Sequence, residues 1–110
     1  MTPLTSGSVT VHNVEAIPVD YVLGQNYPNP FNPTTQIEYS VPESGHITVS
    51  IYDVSGRLVE TLVDGFVDSG YHSIVWDGRD SAGYTVSAGL YIYSLKGDHI
   101  AITRKMVMMK

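Results

Sequence analysis

Four histidines, eleven carboxylates and no cysteine are the side chains here that chemistry would recruit first. His12, His46, His72 and His99 fall in separate segments, with no HxH or HxxxH pairing and no thiol beside them, so they do not read as a zinc set. No serine stands in a G-x-S-x-G setting, and no Ser, His and Asp grouping follows from spacing, which leaves nucleophilic hydrolysis without a candidate. Most carboxylates fall at expected turns (Asp53, Asp64, Asp68, Asp98), where they are suited to accept backbone N–H bonds. Asp77-Gly78-Arg79-Asp80-Ser81-Ala82-Gly83 is the one loop with two carboxylates and several carbonyls for a calcium ion. Its spacing does not follow the alternate-residue ligand order of calcium loops, so Asx-turn capping is the expected role. No glycine-rich loop follows a strand and opens a helix, and nucleotide binding has no support. The sequence therefore predicts no enzyme, no metal and no cofactor; its function rests on what its surface meets.

Those turns separate short strands. Thr35–Val41 alternates, with Ile37, Tyr39 and Val41 on one face and Gln36, Glu38 and Ser40 on the other, the period of a half-buried strand. Pro42-Glu43-Ser44-Gly45 closes it, and His46–Asp53 alternates again, with Ile47, Val49 and Ile51 inward and Thr48 and Ser50 outward. Asp53-Val54-Ser55-Gly56-Arg57 reads as a hairpin connection in which Gly56 takes positive φ. In Arg57–Asp64 the apolar residues Leu58, Val59, Leu62 and Val63 fit a helical face about as well as a strand; short length and the preceding hairpin favour a strand. Tyr71–Trp76, Leu90–Lys96 and His99–Lys110 complete the series. Six or seven strands at spacings near ten residues predict an all-β, immunoglobulin-like antiparallel β-sandwich of about seven strands. Trp76 and the strand tyrosines are expected between the sheets, and the apolar run Met106 to Met109 suggests a central strand or one covered on both faces.

At 110 residues and 43% apolar composition the chain makes one domain with a core of its own. No apolar run approaches the length of a membrane span. Residues 1–20 lack a period and read as a linker with an edge strand at Ser8–His12, followed by a folded domain over 21–110. Met1 to Val11 has no secretory-signal pattern, so an exported parent is expected to carry its signal ahead of this piece. Residues 1–95 carry a net charge of −8 and residues 96–110 a net of +3. An acidic body argues against nucleic acid as a partner. The basic segment is expected to pair with that body, to serve as a short recognition element, or both. An exposed edge at residues 8–12 would also support weak homodimerisation by strand addition.

Asn26-Tyr27-Pro28-Asn29-Pro30-Phe31-Asn32-Pro33 places three prolines in six positions. Each fixes φ and disfavours helix in the residue before it. The segment is expected to be a stiff, polyproline-like lead-in anchored by Tyr27 and Phe31.

These features occur in a recognisable order. The lead-in is followed by Ile51-Tyr52-Asp53-Val54-Ser55-Gly56-Arg57, by Trp76-Asp77-Gly78-Arg79-Asp80-Ser81-Ala82-Gly83, by Ser87-Ala88-Gly89-Leu90-Tyr91-Ile92-Tyr93 and by Thr103-Arg104-Lys105-Met106-Val107. From about Tyr21 to Lys110 the chain resembles the type A C-terminal sorting domain of the type IX secretion system, found on exported proteins of the Bacteroidetes and their relatives. The resemblance implies an immunoglobulin-like sandwich that acts as an address for a covalently attached N-terminal passenger. The passenger would pass the periplasm and outer membrane to the cell surface or medium. The implied partners are outer-membrane secretion components, including a shuttle and a sortase-like protease that cuts ahead of the domain, here within residues 1–20. Matching positions nominate Pro28, Asn29 and Pro30 in the lead-in, Gly89 and Tyr91 in a Gly-x-Tyr motif, and Lys105, Met106, Val107 and Lys110 at the basic end. Tyr91 and Met106 are also natural core residues, and Gly89 suits a backbone role; Lys105 and Lys110 have no use in a core. The middle of the chain is also similar to the immunoglobulin-like part of flagellar hook-capping proteins, which implies an assembly module. A carbohydrate-binding or adhesion module is a third reading, which needs tyrosines that face outward.

Overall fold

The computed structural model describes residues 17–110; the strand expected at Ser8–His12 and most of the linker over 1–20 lie outside the described residues. The described residues form seven strands: β1 (Val22–Leu23), β2 (Thr35–Val41), β3 (Gly45–Tyr52), β4 (Leu58–Val67), β5 (Gly70–Trp76), β6 (Gly89–Lys96) and β7 (Ala101–Met108). They build two antiparallel sheets of order β1-β2-β5 and β4-β3-β6-β7, an immunoglobulin-like β-sandwich. Among the described residues no helix is long and apolar enough to cross a membrane.

Period-two patterning does the folding work. Ile37, Tyr39 and Val41 of β2 face Ile47, Val49 and Ile51 of β3 and Tyr91, Tyr93 and Leu95 of β6 in one buried cluster, with Trp76 fully enclosed. Phe31, Trp76 and Tyr91 stack at one end, with ring centroids 5.6 and 5.5 Å apart in tilted and edge-on contact. Gly56 closes the β3–β4 hairpin at φ 89°, and the Asp53 carboxylate accepts bonds from the N–H groups of Ser55 and Arg57.

One expectation holds and three change. The apolar pairs Leu58/Val59 and Leu62/Val63 belong to a strand, as favoured. The register runs from Val49↔Val63 to Ser50↔Thr61 and from Ile51↔Glu60 to Tyr52↔Leu58, so Leu62 and Val59 are extra residues at irregularities that break the alternation. Asp64 lies within β4, not at a turn, and pairs with His46 at 3.0 Å. Strand β7 is not central: it lies at the edge of its sheet, with Met106 and Met108 turned into the core and Val107 and Met109 exposed. The lead-in is bent, not polyproline-like, and all three X–Pro bonds are cis. Of its two expected anchors only Phe31 is buried, at 1% exposure; Tyr27 is 80% exposed, because its backbone pairs with Gln36 at the sheet edge and turns the ring outward.

Candidate partner-recognition site

The lead-in runs along the free edge of β7 and fastens to it. The Phe31 N–H donates to the Val107 carbonyl at 3.0 Å and the Met109 N–H donates to the Phe31 carbonyl at 2.8 Å, a parallel bridge one residue wide. The Asn29 side-chain oxygen accepts the Val107 N–H at 3.0 Å, and the Gln25 amide donates to the Lys105 carbonyl at 2.9 Å. Arg104 donates through Nε to the Leu23 carbonyl. An edge strand presents unpaired N–H and C=O groups; here Gln25 and the lead-in satisfy those of β7 from the Lys105 carbonyl to the Met109 N–H.

A buried polar network holds the lead-in in that position. The Asn26 amide, 2% exposed, donates to the Pro28 carbonyl at 3.1 Å and to the Thr35 hydroxyl at 3.0 Å. The Thr35 hydroxyl donates in turn to the Pro28 carbonyl at 2.8 Å. Tyr93 accepts the Asn26 backbone N–H at 2.9 Å and donates its own proton to the Gly24 carbonyl at 2.6 Å. Burial pushes the Tyr93 phenol above its ordinary value, so it stays a neutral donor. Gly78 lies beneath: at φ 75° it approaches so closely that a Cβ would stand 2.7 Å from the Pro33 carbonyl oxygen and 3.1 Å from the Met108 methyl.

The fold thus brings every nominated residue to one end of the sandwich. Gly89 pairs with Met108 and Tyr91 with Met106 across β6 and β7. Pro28, Asn29, Pro30, Gly89, Lys105, Val107 and Lys110 are exposed, whereas Tyr91 and Met106 are buried and support the surface from below. Gly89 takes φ 147° with open space around a Cβ, so its requirement is conformational. Among the described residues no carboxylate pairs with Lys96, Arg104, Lys105 or Lys110; the expected pairing of the basic segment with the acidic body is not what forms. Lys96 instead lies 5.8 Å from the Tyr52 ring centroid. The reason is placement: β7 is flanked by β6 and by an uncharged lead-in.

In the other candidate loop, Asp77 accepts the Arg79 N–H at 3.1 Å, and Asp80 accepts those of Ala82 and Tyr84, each at 3.0 Å, the Asx capping expected. Residue-type reasoning missed Gln25, Asn26, Thr35, Gly78 and Arg104. Asn26, Gly78 and Arg104 stand inside motifs that carry the resemblance, whereas Gln25 and Thr35 carry no signal of their own.

A model of the FlgD Ig-like domain matches residues 32–99, more than half of the chain. The basal-body rod modification protein FlgD of Salmonella typhimurium is 42% identical over 45 residues, which are 41% of this chain. The match spans about a fifth, 19%, of that curated relative's length. Among solved structures, dimeric latent PorU of Porphyromonas gingivalis superposes with a TM-score of 0.62 at 22% identity, over 82% of this chain and 9% of that one. PorZ of the same organism, described as an essential bacterial surface component of the type-IX secretion system, gives 0.56 at 20% identity, over 78% of this chain and 11% of that one. At these identities the two structures establish the sandwich fold. The match over residues 32–99 establishes more, and the chain belongs to the FlgD Ig-like domain family.

Proposed function

We propose that the chain is a non-catalytic C-terminal sorting module, read by outer-membrane type IX secretion components as they pass an attached passenger to the cell surface. The observation that supports it is the junction of lead-in and β7. Two of the motifs that carry the resemblance, one near each end of the domain, are fastened to each other and present Pro28, Asn29, Pro30, Lys105, Val107 and Lys110 on one surface. The family match over 32–99 stops short of Asn26–Phe31 and of all of β7, so this surface lies almost wholly outside the shared Ig-like core. The carboxylates nearest to a catalytic or ion-binding arrangement accept backbone N–H bonds, which fits a module that acts by binding.

A second reading, an assembly module of the hook-capping kind, is favoured by the family match itself. The two separate in a bacterium with a working type IX system. A reporter with an N-terminal export signal carries either this chain or its Lys105→Glu/Lys110→Glu variant at the C-terminus. Both substitutions fall on exposed side chains and leave the fold in place. Surface display with the parent and periplasmic retention with the variant is the expected result. Retention of both, with the domain folded, overturns the sorting reading in that host and leaves the assembly module.

A further inference from the structure

Among the described residues the two open sheets have four edges, and three of them are protected in whole or in part. Strand β1 is two residues long. Strand β4 carries two irregularities and the charges of Glu60 and Asp64, and Ser81 donates its N–H to the Val59 carbonyl. The lead-in and Gln25 close β7 from the Lys105 carbonyl to Met109, and Arg104 and Lys105 add charges to it. The fourth edge, β5, is seven residues long, pairs with β2 in unbroken register and contains no Lys, Arg, Asp, Glu or Pro.

The direction of its free groups follows from the ladder. Gly24 and Tyr27 bond to the Glu38 carbonyl and to both backbone groups of Gln36, so these residues of β2 face β1. Ile37 and Tyr39 therefore face β5, and their partners Ile74 and His72 bond back. Tyr71, Ser73 and Val75 point their N–H and C=O groups away from the sheet, and no described residue meets them. Their side chains lie on the outer face, with Tyr71 65% and Val75 54% exposed.

We infer that β5 is a strand-addition site whose occupant is β5 of a second copy of this chain, antiparallel about a twofold axis at Ser73. That register is self-complementary. Ser73 faces its own copy, Tyr71 faces Val75 of the second copy as an aromatic–β-branched pair, and small Gly70 faces Trp76. Each facing pair of Tyr71, Ser73 and Val75 exchanges both hydrogen bonds. The flanking Asp68 and Asp77 stand opposite Gly78 and Ser69, so no like charges meet. The pairing joins two three-stranded sheets into one of six, independently of the surface at β7.

The chain has no cysteine, which makes the test clean. Facing Cα atoms in a hydrogen-bonded pair lie about 5.5 Å apart, within disulfide range. Under mild oxidation Ser73→Cys is expected to form covalent dimers at least about tenfold faster than Val54→Cys on the exposed β3–β4 hairpin. Sedimentation equilibrium of the parent is expected to give a monomer–dimer equilibrium with a dissociation constant of about 100 µM, weak as for a small transient interface. Ser73→Lys, which sets two like charges face to face, weakens it about tenfold or more without shifting the melting temperature. A parent that stays monomeric to about 1 mM overturns the inference. So does association that Ser73→Lys leaves intact, or Ser73→Cys that cross-links no faster than the control.

Discussion

Asn26→Ala tests whether the lead-in is held by the buried network or merely follows its prolines. The substitution removes two buried donations, to the Pro28 carbonyl at 3.1 Å and to the Thr35 hydroxyl at 3.0 Å, and the bond accepted from Gln25 at 2.6 Å. A buried hydrogen bond contributes about 1 kcal/mol net, and the half-exposed Gln25 bond less, so the loss comes to about 2–3 kcal/mol. For a domain of this size that lowers the melting temperature by about 10–20 °C. Thr35→Val removes the second donor to the same carbonyl, at a cost of about 1–2 kcal/mol. Because both side chains act on Pro28 and on each other, the double variant is expected to fall short of additivity by about 1 kcal/mol. Denaturant unfolding followed by circular dichroism gives the four free energies. Hydrogen exchange then locates the effect: the Phe31 and Met109 amides, which bridge the lead-in to β7, should lose protection before those of β3 and β6. An Asn26→Ala protein within about 0.5 kcal/mol of the parent refutes the reasoning. So does loss of protection spread evenly over both sheets.

Gly78→Ala should cost about 2–4 kcal/mol, since it combines a strained φ of 75° with a Cβ 2.7 Å from the Pro33 oxygen; thermal unfolding checks it. Burial holds the Tyr39, Tyr91 and Tyr93 phenols above their usual value of 10.0. Their contribution is full below the unfolded value and is lost as pH rises through the folded ones, so stability should fall above pH about 10, with tyrosinate absorbance tracking unfolding. At the acid end the Ser55 hydroxyl, then the Arg57 N–H, hold the Asp53 carboxyl below its usual range. That contribution is present above the unfolded value and is lost as pH falls through the lower folded one; Asp53→Asn should flatten the acid limb of the stability curve.

How much of this was legible depended on the range of the contact. The faces of β2, β3 and β6 follow from alternation, a local signal that burial enforces residue by residue. Strand β4 blurred toward a helical pattern because the extra residues Val59 and Leu62 place apolar side chains side by side, an irregularity set by the partner strand. The prolines announced a fixed lead-in, but not its course: Asn29 meets Val107 across 78 positions, and neither residue type implies the other. Phe31 and Tyr27 look alike as anchors; which one is buried depends on where a neighbouring backbone turns. A buried Asn26 is the least readable of all, since outside its network an asparagine beside prolines is an ordinary loop residue.

The junction also makes the surface conditional on folding. Lys105 and Val107 keep their positions because the Lys105 carbonyl and both backbone groups of Val107 are engaged by Gln25, Asn29 and Phe31. A free peptide with the sequence of residues 99–110 has none of these partners and, as an isolated strand, no reason to stay extended. Under the proposed reading a secretion partner that engages this surface discriminates a finished domain from a nascent or unfolded one, so a passenger is passed on only after its address has folded. The prediction is competitive: excess folded chain added to permeabilised type IX-secreting cells blocks surface display of the reporter, whereas the 99–110 peptide at the same concentration does not. Asn26→Ala, which loosens the junction while sparing every exposed residue of the surface, should compete less well than the parent in proportion to its loss of protection at Phe31 and Met109. Equal block by peptide and folded chain would mean that the basic end is read as a linear tag, with the junction serving stability alone.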